Sequence, residues 1–243
     1  MEQTKYNFTS HFHEGFAAVK VNNKWNFIDE QDNLLSKQWF DDCSFFHDGF
    51  AAVRLNGGYN FIDKQGNIIS DMLFDYCGYF RKGLARVILN NKWNYIDEQG
   101  NLLSDQWFDE CGYFYDGFAA VKLNGGYNFI DKQNNFISDQ WFDFCFSFSE
   151  GFAMVELNTK YNFIDKQGNI ISGQWFDCCW NFNDGLARVQ LNGKYNFIDC
   201  HGYLLSDQWF DECCYFYDGF ATVMINGIYK TINTKGEIIN GTN

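Results

Sequence analysis

The sequence predicts an all-β fold of seven tandem 34-residue units, each an antiparallel β-hairpin with a third short strand. Three observations carry that reading. Gly15, Gly49, Gly83, Gly117, Gly151, Gly185 and Gly219 recur at one spacing, without insertion or deletion. Behind each glycine the unvarying small and aliphatic residues alternate with period two, as Ala17, Val19 and Val21 do in the first unit. A two-residue turn signal then follows, such as Asn56-Gly57, Asn124-Gly125 or Asn192-Gly193. A helical hairpin repeat shares the 34-residue period, so the inner period of two is what selects strands over helices.

The first strand of each unit has one constant face and one permissive face, because positions 18 and 20 and their equivalents vary freely. The second strand, Trp25 to Asp29, is apolar on both faces and is expected to be covered on both sides. A Gln-Gly-Asn turn at 65–67, 99–101 and 167–169 leads to an aliphatic pair, Ile68-Ile69 or Leu102-Leu103, read as the third strand. The segment Ser104 to Cys111 returns the chain to the next glycine, its Trp, Phe and Cys expected to pack between units. The recurrent Asp63 and Asp75 and their equivalents are read as acceptors for backbone amides. Asn22-Asn23-Lys24-Trp25 returns as Asn90-Asn91-Lys92-Trp93, and Asn56-Gly57-Gly58-Tyr59 as Asn124-Gly125-Gly126-Tyr127, the mark of a duplicated two-unit block.

One repeat domain is expected over residues 1–243, with a partial unit at 1–14, six full units at 15–218 and a partial capping unit at 219–243. An open curved stack and a closed seven-bladed propeller-like ring both fit the arithmetic. The short unit favours the open stack, as does the altered last unit, where Lys230, Thr231 and Asn233 replace Asn, Phe or Tyr, and Asp.

The same residues resemble the WG-repeat (KWG) family of short tandem β repeats. Gly185-Leu186-Ala187-Arg188-Val189, Asn192-Gly193-Lys194-Tyr195, Phe197-Ile198-Asp199 and Gly202-Tyr203-Leu204-Leu205 carry the pattern in one copy, and the likeness spans nearly the whole chain. Where the family name has Gly, this chain has Asn26, Asn60, Asn94, Asn128, Asn162 and Asn196, a residue that tolerates positive φ. The resemblance implies a binding or scaffold role and supplies no catalytic residues.

A formal charge of -13 argues against direct nucleic-acid binding and against anionic membranes. Nine cysteines, an odd number, cannot all close as intrachain pairs, and no apolar leader or spanning run is apparent, so a cytoplasmic location is expected. The ladder Cys43, Cys77, Cys111, Cys145, Cys179, Cys213 is read as buried free thiols, and His11, His13, His47 and His201 as surface residues, with no metal or other cofactor. Residues present in every unit serve folding, and no mixed catalytic constellation stands apart from them.

Binding is therefore expected where units differ: Arg54, Arg86 and Arg188 on the permissive face, and the aromatic departures Tyr76, Phe144, Phe146 and Trp180. The functional expectation is a non-catalytic protein-binding module, an inhibitor or adaptor whose partner has a basic surface. The alternatives are a self-assembling structural array and an acidic inhibitor seated in the basic groove of a nucleic-acid enzyme.

Overall fold

The computed structural model describes residues 5–239, in which the regular elements are β-strands. Residues 1–4, most of the polar start, and residues 240–243, the end of the capping unit, lie outside that range. Among the described residues no helix is long and apolar enough to cross a membrane.

The chain divides into two compact units, Met1–Cys111 and Gly112–Asn243. In the first, three sheets follow in order: Phe8–Thr9 with Ala17–Val21 and Lys24–Ile28, Asp42–Cys43 with Phe50–Leu55 and Gly58–Asp63, and Tyr76–Cys77 with Leu84–Leu89 and Lys92–Asp97. In the second, the hairpin Phe118–Leu123 and Gly126–Asp131 precedes a sheet of Phe144–Cys145, Phe152–Leu157 and Lys160–Asp165. A sheet of Cys178–Cys179, Leu186–Leu191 and Lys194–Asp199 comes next, and a last one of Glu212–Cys213, Phe220–Ile225, Ile228–Asn233 and Ile238–Ile239. These pairings are antiparallel, and the hairpin register runs from Phe50 opposite Asp63 to Leu55 opposite Gly58. Asn56 and Gly57 both take positive φ, as the two-residue turn requires.

Strand alternation gives a sheet two faces to bury. Ala51, Val53 and Ile62 pack toward the preceding sheet, beside Ala18 and Phe27, with Phe40 and Phe46 of the connection filling the space between. Ala52 and Phe61 point the other way and meet Ala85, Val87, Ile96, Phe74 and Phe80. The second unit repeats this arrangement around Phe163, Phe176 and Phe182. The phenylalanine three residues before each glycine makes the recurring contact: Phe80 stands edge-on to Phe61 at 4.8 Å and Phe182 edge-on to Phe163 at 4.9 Å. Such a pair contributes about 0.5–1.5 kcal/mol beyond its burial. The expected cover on both faces of the second strand is thus present. The supposedly permissive position 18 is different: Ala18 and Ala52 are buried, because the neighbouring sheet lies against them. In the last sheet their equivalents are Thr222, and Thr231 in place of phenylalanine, and both are exposed.

Two further expectations change. The third strand is the two-residue segment before the glycine turn, such as Tyr76–Cys77, and the aliphatic pair makes only a bridge, as Ile68 does to Ile62, except in the last sheet, where Ile238–Ile239 forms a fourth strand. The reason is a bulge. The chain runs back along the second strand, with Ile69 N donating to Phe61 O at 3.1 Å and Phe74 N to Tyr59 O at 2.9 Å. Between those contacts residues 70–73 arch away from the sheet, which leaves backbone groups without ladder partners.

The recurrent asparagine meets this demand, and it is not at positive φ. Asn60 lies within the strand, 1% exposed. Its Nδ2 donates to Ser70 O at 2.7 Å and Met72 O at 2.8 Å, and its Oδ1 accepts from Phe61 N at 2.8 Å. Asn26, Asn94, Asn128, Asn162 and Asn196 make the same three bonds. The serine opening each bulge accepts from the amide two residues on, as Ser70 Oγ does from Met72 N at 3.2 Å. Asp63 closes the preceding turn as expected, accepting from the amides of Gln65 and Asn67 at 2.9 and 2.8 Å. Asp75 likewise accepts from Asn90 N at 2.7 Å. Lys24, Lys92, Lys160 and Lys194 each pair with the aspartate of that second class, Asp41, Asp109, Asp177 and Asp211.

Two predictions follow from this geometry. Asn162→Ala removes three buried hydrogen bonds at once and is expected to lower stability by about 2–4 kcal/mol; urea unfolding followed by tryptophan fluorescence measures it. A loss below about 0.5 kcal/mol would contradict the bulge-holding role. The second concerns Gly168, at φ 84°, where an added Cβ would lie 1.7 Å from the Ile137 carbonyl oxygen of the preceding repeat. Gly125, at φ 91°, has nothing within 4 Å. Gly125→Ala should cost about 1–2 kcal/mol from its backbone alone, and Gly168→Ala clearly more; equal melting temperatures would refute the close approach.

Candidate functional site

Side chains that fold every repeat leave few positions at which repeats can differ. The most informative is the third residue after the glycine: Ala18, Ala52, Arg86, Ala120, Met154, Arg188 and Thr222. At Ala52, Arg86 and Arg188 it faces a cleft between the short strand of its own sheet and that of the next.

Arg188 shows what this cleft holds. Its guanidinium carbon lies 3.8 Å from the ring centre of Trp180 and 4.4 Å from that of Tyr215, with Tyr195 at 5.8 Å. Nη1 donates to Cys213 O at 3.1 Å, and Nη2 to Tyr215 Oη at 3.4 Å. Trp180 comes from Arg188's own sheet, whereas Cys213 and Tyr215 lead into the following one. The arginine is a half-buried cation between aromatic faces, linking two repeats. Arg86 repeats the theme, 5.1 Å over Trp93 and donating to Cys111 O at 2.8 Å.

At Ala52 the cleft is not filled from within. A groove of about 180 Å³ opens there, lined by Tyr59, Tyr76, Tyr79, Asp42 and Cys77 among others. Arg54 lies exposed outside it, over the Tyr59 ring at 5.8 Å and opposite Asp42 in register. Tyr76 stands edge-on to Trp93 at 6.3 Å. In the second unit Phe144 packs on Tyr127 at 5.0 Å and on Phe146 at 4.9 Å. A larger open groove of about 580 Å³ lies by Asp116, Asp131 and Phe136, where Lys166 and Asp116 approach to 3.5 Å.

The structure thus joins Arg188 to Trp180 and Phe144 to Phe146, and places Tyr76 on the groove over Ala52. Arg54, Arg86 and Tyr76 belong to the first unit; Phe144, Phe146, Trp180 and Arg188 belong to the second. Sequence reasoning missed Tyr79 and Tyr215, four residues before their glycines. Their signal was variability, since His11, Phe45, Tyr113, Ser147 and Asn181 hold the same position.

The cysteine ladder is buried at Cys77, Cys111, Cys145 and Cys179 and half-buried at Cys43 and Cys213. Burial pushes the Cys43, Cys111 and Cys213 thiols up to about 12, and those of Cys77, Cys145 and Cys179 upward as well. At neutral pH they are protonated, hence weak as nucleophiles and metal ligands. The four histidines are exposed. Among the described residues no three His, Cys, Asp or Glu side chains gather as a metal site.

The model of the WG containing repeat matches the chain at residues 3–25, 27–59, 61–93, 95–127, 129–161 and 163–195. The chain belongs to the WG-repeat family, and the altered last unit lies beyond the matched residues. No curated protein matches it. Among solved structures, apo AztD from Citrobacter koseri is 14% identical, with 82% of this chain and 71% of that chain covered and a TM-score of 0.40. Hsv2p of Kluyveromyces lactis is 9% identical over 93% of this chain and 92% of that chain, with a TM-score of 0.35. KlHsv2 with loop 6CD replaced by a Gly-Ser linker is 9% identical over 92% of each chain, with a TM-score of 0.38.

Thiol reactivity tests the burial directly. At pH 8 the exposed Cys200 and Cys214 are expected to be alkylated by iodoacetamide while the six ladder thiols react only after unfolding, as peptide mass mapping would record. Ladder modification at the rate of Cys200 under native conditions would contradict the packing between sheets.

Proposed function

We propose that the chain is a non-catalytic protein-binding module whose contact surface consists of aromatic side chains that vary between repeats on an acidic body. One observation carries the reading: the recurrent Asn, Asp and Cys residues are engaged in folding, while aromatic rings at variable positions stay exposed. Phe45, Tyr76 and Tyr79 are 50%, 44% and 53% exposed in the first unit, and Tyr215 and Tyr217 are 52% and 80% exposed in the second. Tyrosine brings apolar area and a polar tip to a contact at low entropic cost. The formal charge of -13 favours a partner with a basic face, in the manner of an inhibitor or adaptor.

Affinity capture with mass-spectrometric identification, run in parallel with wild type and a Tyr76→Ser, Tyr215→Ser double variant, tests this. A specific partner should be recovered by the wild type and lost by at least about tenfold with the variant, and its association should slow as salt is raised. Capture unchanged by loss of both tyrosines would remove the basis for the reading.

A further inference from the structure

We propose that the groove over Ala52 is a receptor for a guanidinium group, the arginine side chain of a partner protein. The template is internal to the molecule. Around Arg188 the cleft is closed on one side by the ring of Trp180 and otherwise built from the ring of Tyr195, the carbonyl of Cys213 and the ring of Tyr215. One repeat position at a time, Tyr59, Cys77 and Tyr79 hold the last three places in the second repeat, and all three line the groove. The residue at the cation's position differs, Arg188 in one case and Ala52 in the other, and so do three wall positions, where Ser44, Asp42 and Tyr76 stand in place of Trp180, Cys178 and Glu212. With Ala52 the floor is a methyl group and the cleft stays open to about 180 Å³.

The walls suit a cation from outside. Tyr59, Tyr76 and Tyr79 line the groove together with the Asp42 carboxylate, and Arg54 lies over the Tyr59 ring from outside. Tyr79 is 53% exposed and Tyr76 44%, so the mouth is accessible. The guanidinium is preferred over an ammonium because it is planar, stacks between rings and has donors left for a carbonyl at the back, the arrangement seen at Arg188. This proposal deepens the binding-module reading and rests on it only for the source of the arginine; the groove's chemistry can be tested without any partner.

The test uses the whole chain and N-acetyl-arginine methylamide, with N-acetyl-lysine methylamide as the comparison, followed through amide and tyrosine ring signals in NMR spectra. Saturable shifts at Ala52, Cys77 and Tyr79 are expected, with a dissociation constant on the order of 1 mM, and the lysine compound should bind about tenfold more weakly. Tyr79→Ala should weaken binding about tenfold. Ala52→Arg should abolish it by filling the groove from within, and its fold is secured by Arg86 and Arg188 at the same position in other repeats. Conversely, Arg188→Ala should create a second saturable site beside Trp180 and Tyr215. Absence of saturable shifts around Ala52 in the wild type overturns the proposal, as does binding that survives Ala52→Arg or equal binding of the lysine compound. A protein partner retained equally by wild type and Ala52→Arg overturns the groove as its arginine receptor while leaving the binding-module reading standing.

Discussion

A bulged strand inside a stack of sheets strands polar backbone groups where water cannot reach them, and one asparagine per repeat resolves that conflict. Residues 70–73 arch out of the ladder, so the carbonyls of Ser70 and Met72 and the amide of Phe61 have no strand partner. The Asn60 carboxamide has two donors and an acceptor and meets all three. Neither carboxylate nor alkyl could do so in this position, since one lacks donors and the other lacks both. The bulge in turn lets the chain leave the second strand and deliver Phe74 and Phe80 into the space between sheets. The hydrophobic core therefore depends on a polar contact made by a buried side chain beside it.

The stacking that follows narrows where function can reside. A sheet covered on both faces cannot present a face to a partner, only its margins and the clefts between its short strand and the next. The ion pairs between Lys24, Lys92, Lys160 and Lys194 and their aspartates lie on those margins and are substantially exposed, so each contributes little to stability. Their value is local order at the hairpin end, where repeats with Gly58 or Gly126 in place of lysine lack the pair.

The sequence was most readable where the backbone has few choices. Asn56-Gly57 demanded a tight hairpin turn, and the alternation at Ala51 and Val53 demanded a strand with those two residues buried; both describe the molecule. The misreadings share a cause: each required knowledge of a neighbour distant along the chain. Asn60 bonds to residues ten and twelve positions on, and a linear pattern shows only that asparagine recurs in a strand, which its tolerance of positive φ explained wrongly. Ala52 alternates with its neighbours as a solvent-facing residue would, yet the next sheet covers it. For the candidate residues the limit was the same, because Arg188 looks like a free surface cation until Trp180 and Tyr215 are seen to enclose it.

A period that never changes length offers one way to diversify a surface without disturbing the stack, which is to change what fills a fixed cleft. Arginine at the third position after the glycine closes the cleft and joins adjacent repeats. Methionine, at Met154, fills it with an apolar chain that packs against the cluster around Phe163. Alanine leaves its outcome to the surroundings: Ala120 is followed by Ser147 at the position of Tyr79, whereas Ala52 has tyrosines on three sides. The backbone pairing is the same in the repeats of Ala52 and Arg188, with Cys43 opposite Val53 and Cys179 opposite Val189. A substitution here thus changes the surface chemistry while the ladder, the bulge and its asparagine stay in place. That separation of framework from cleft filling is why the absence of arginine at one position is as informative about binding as its presence at another.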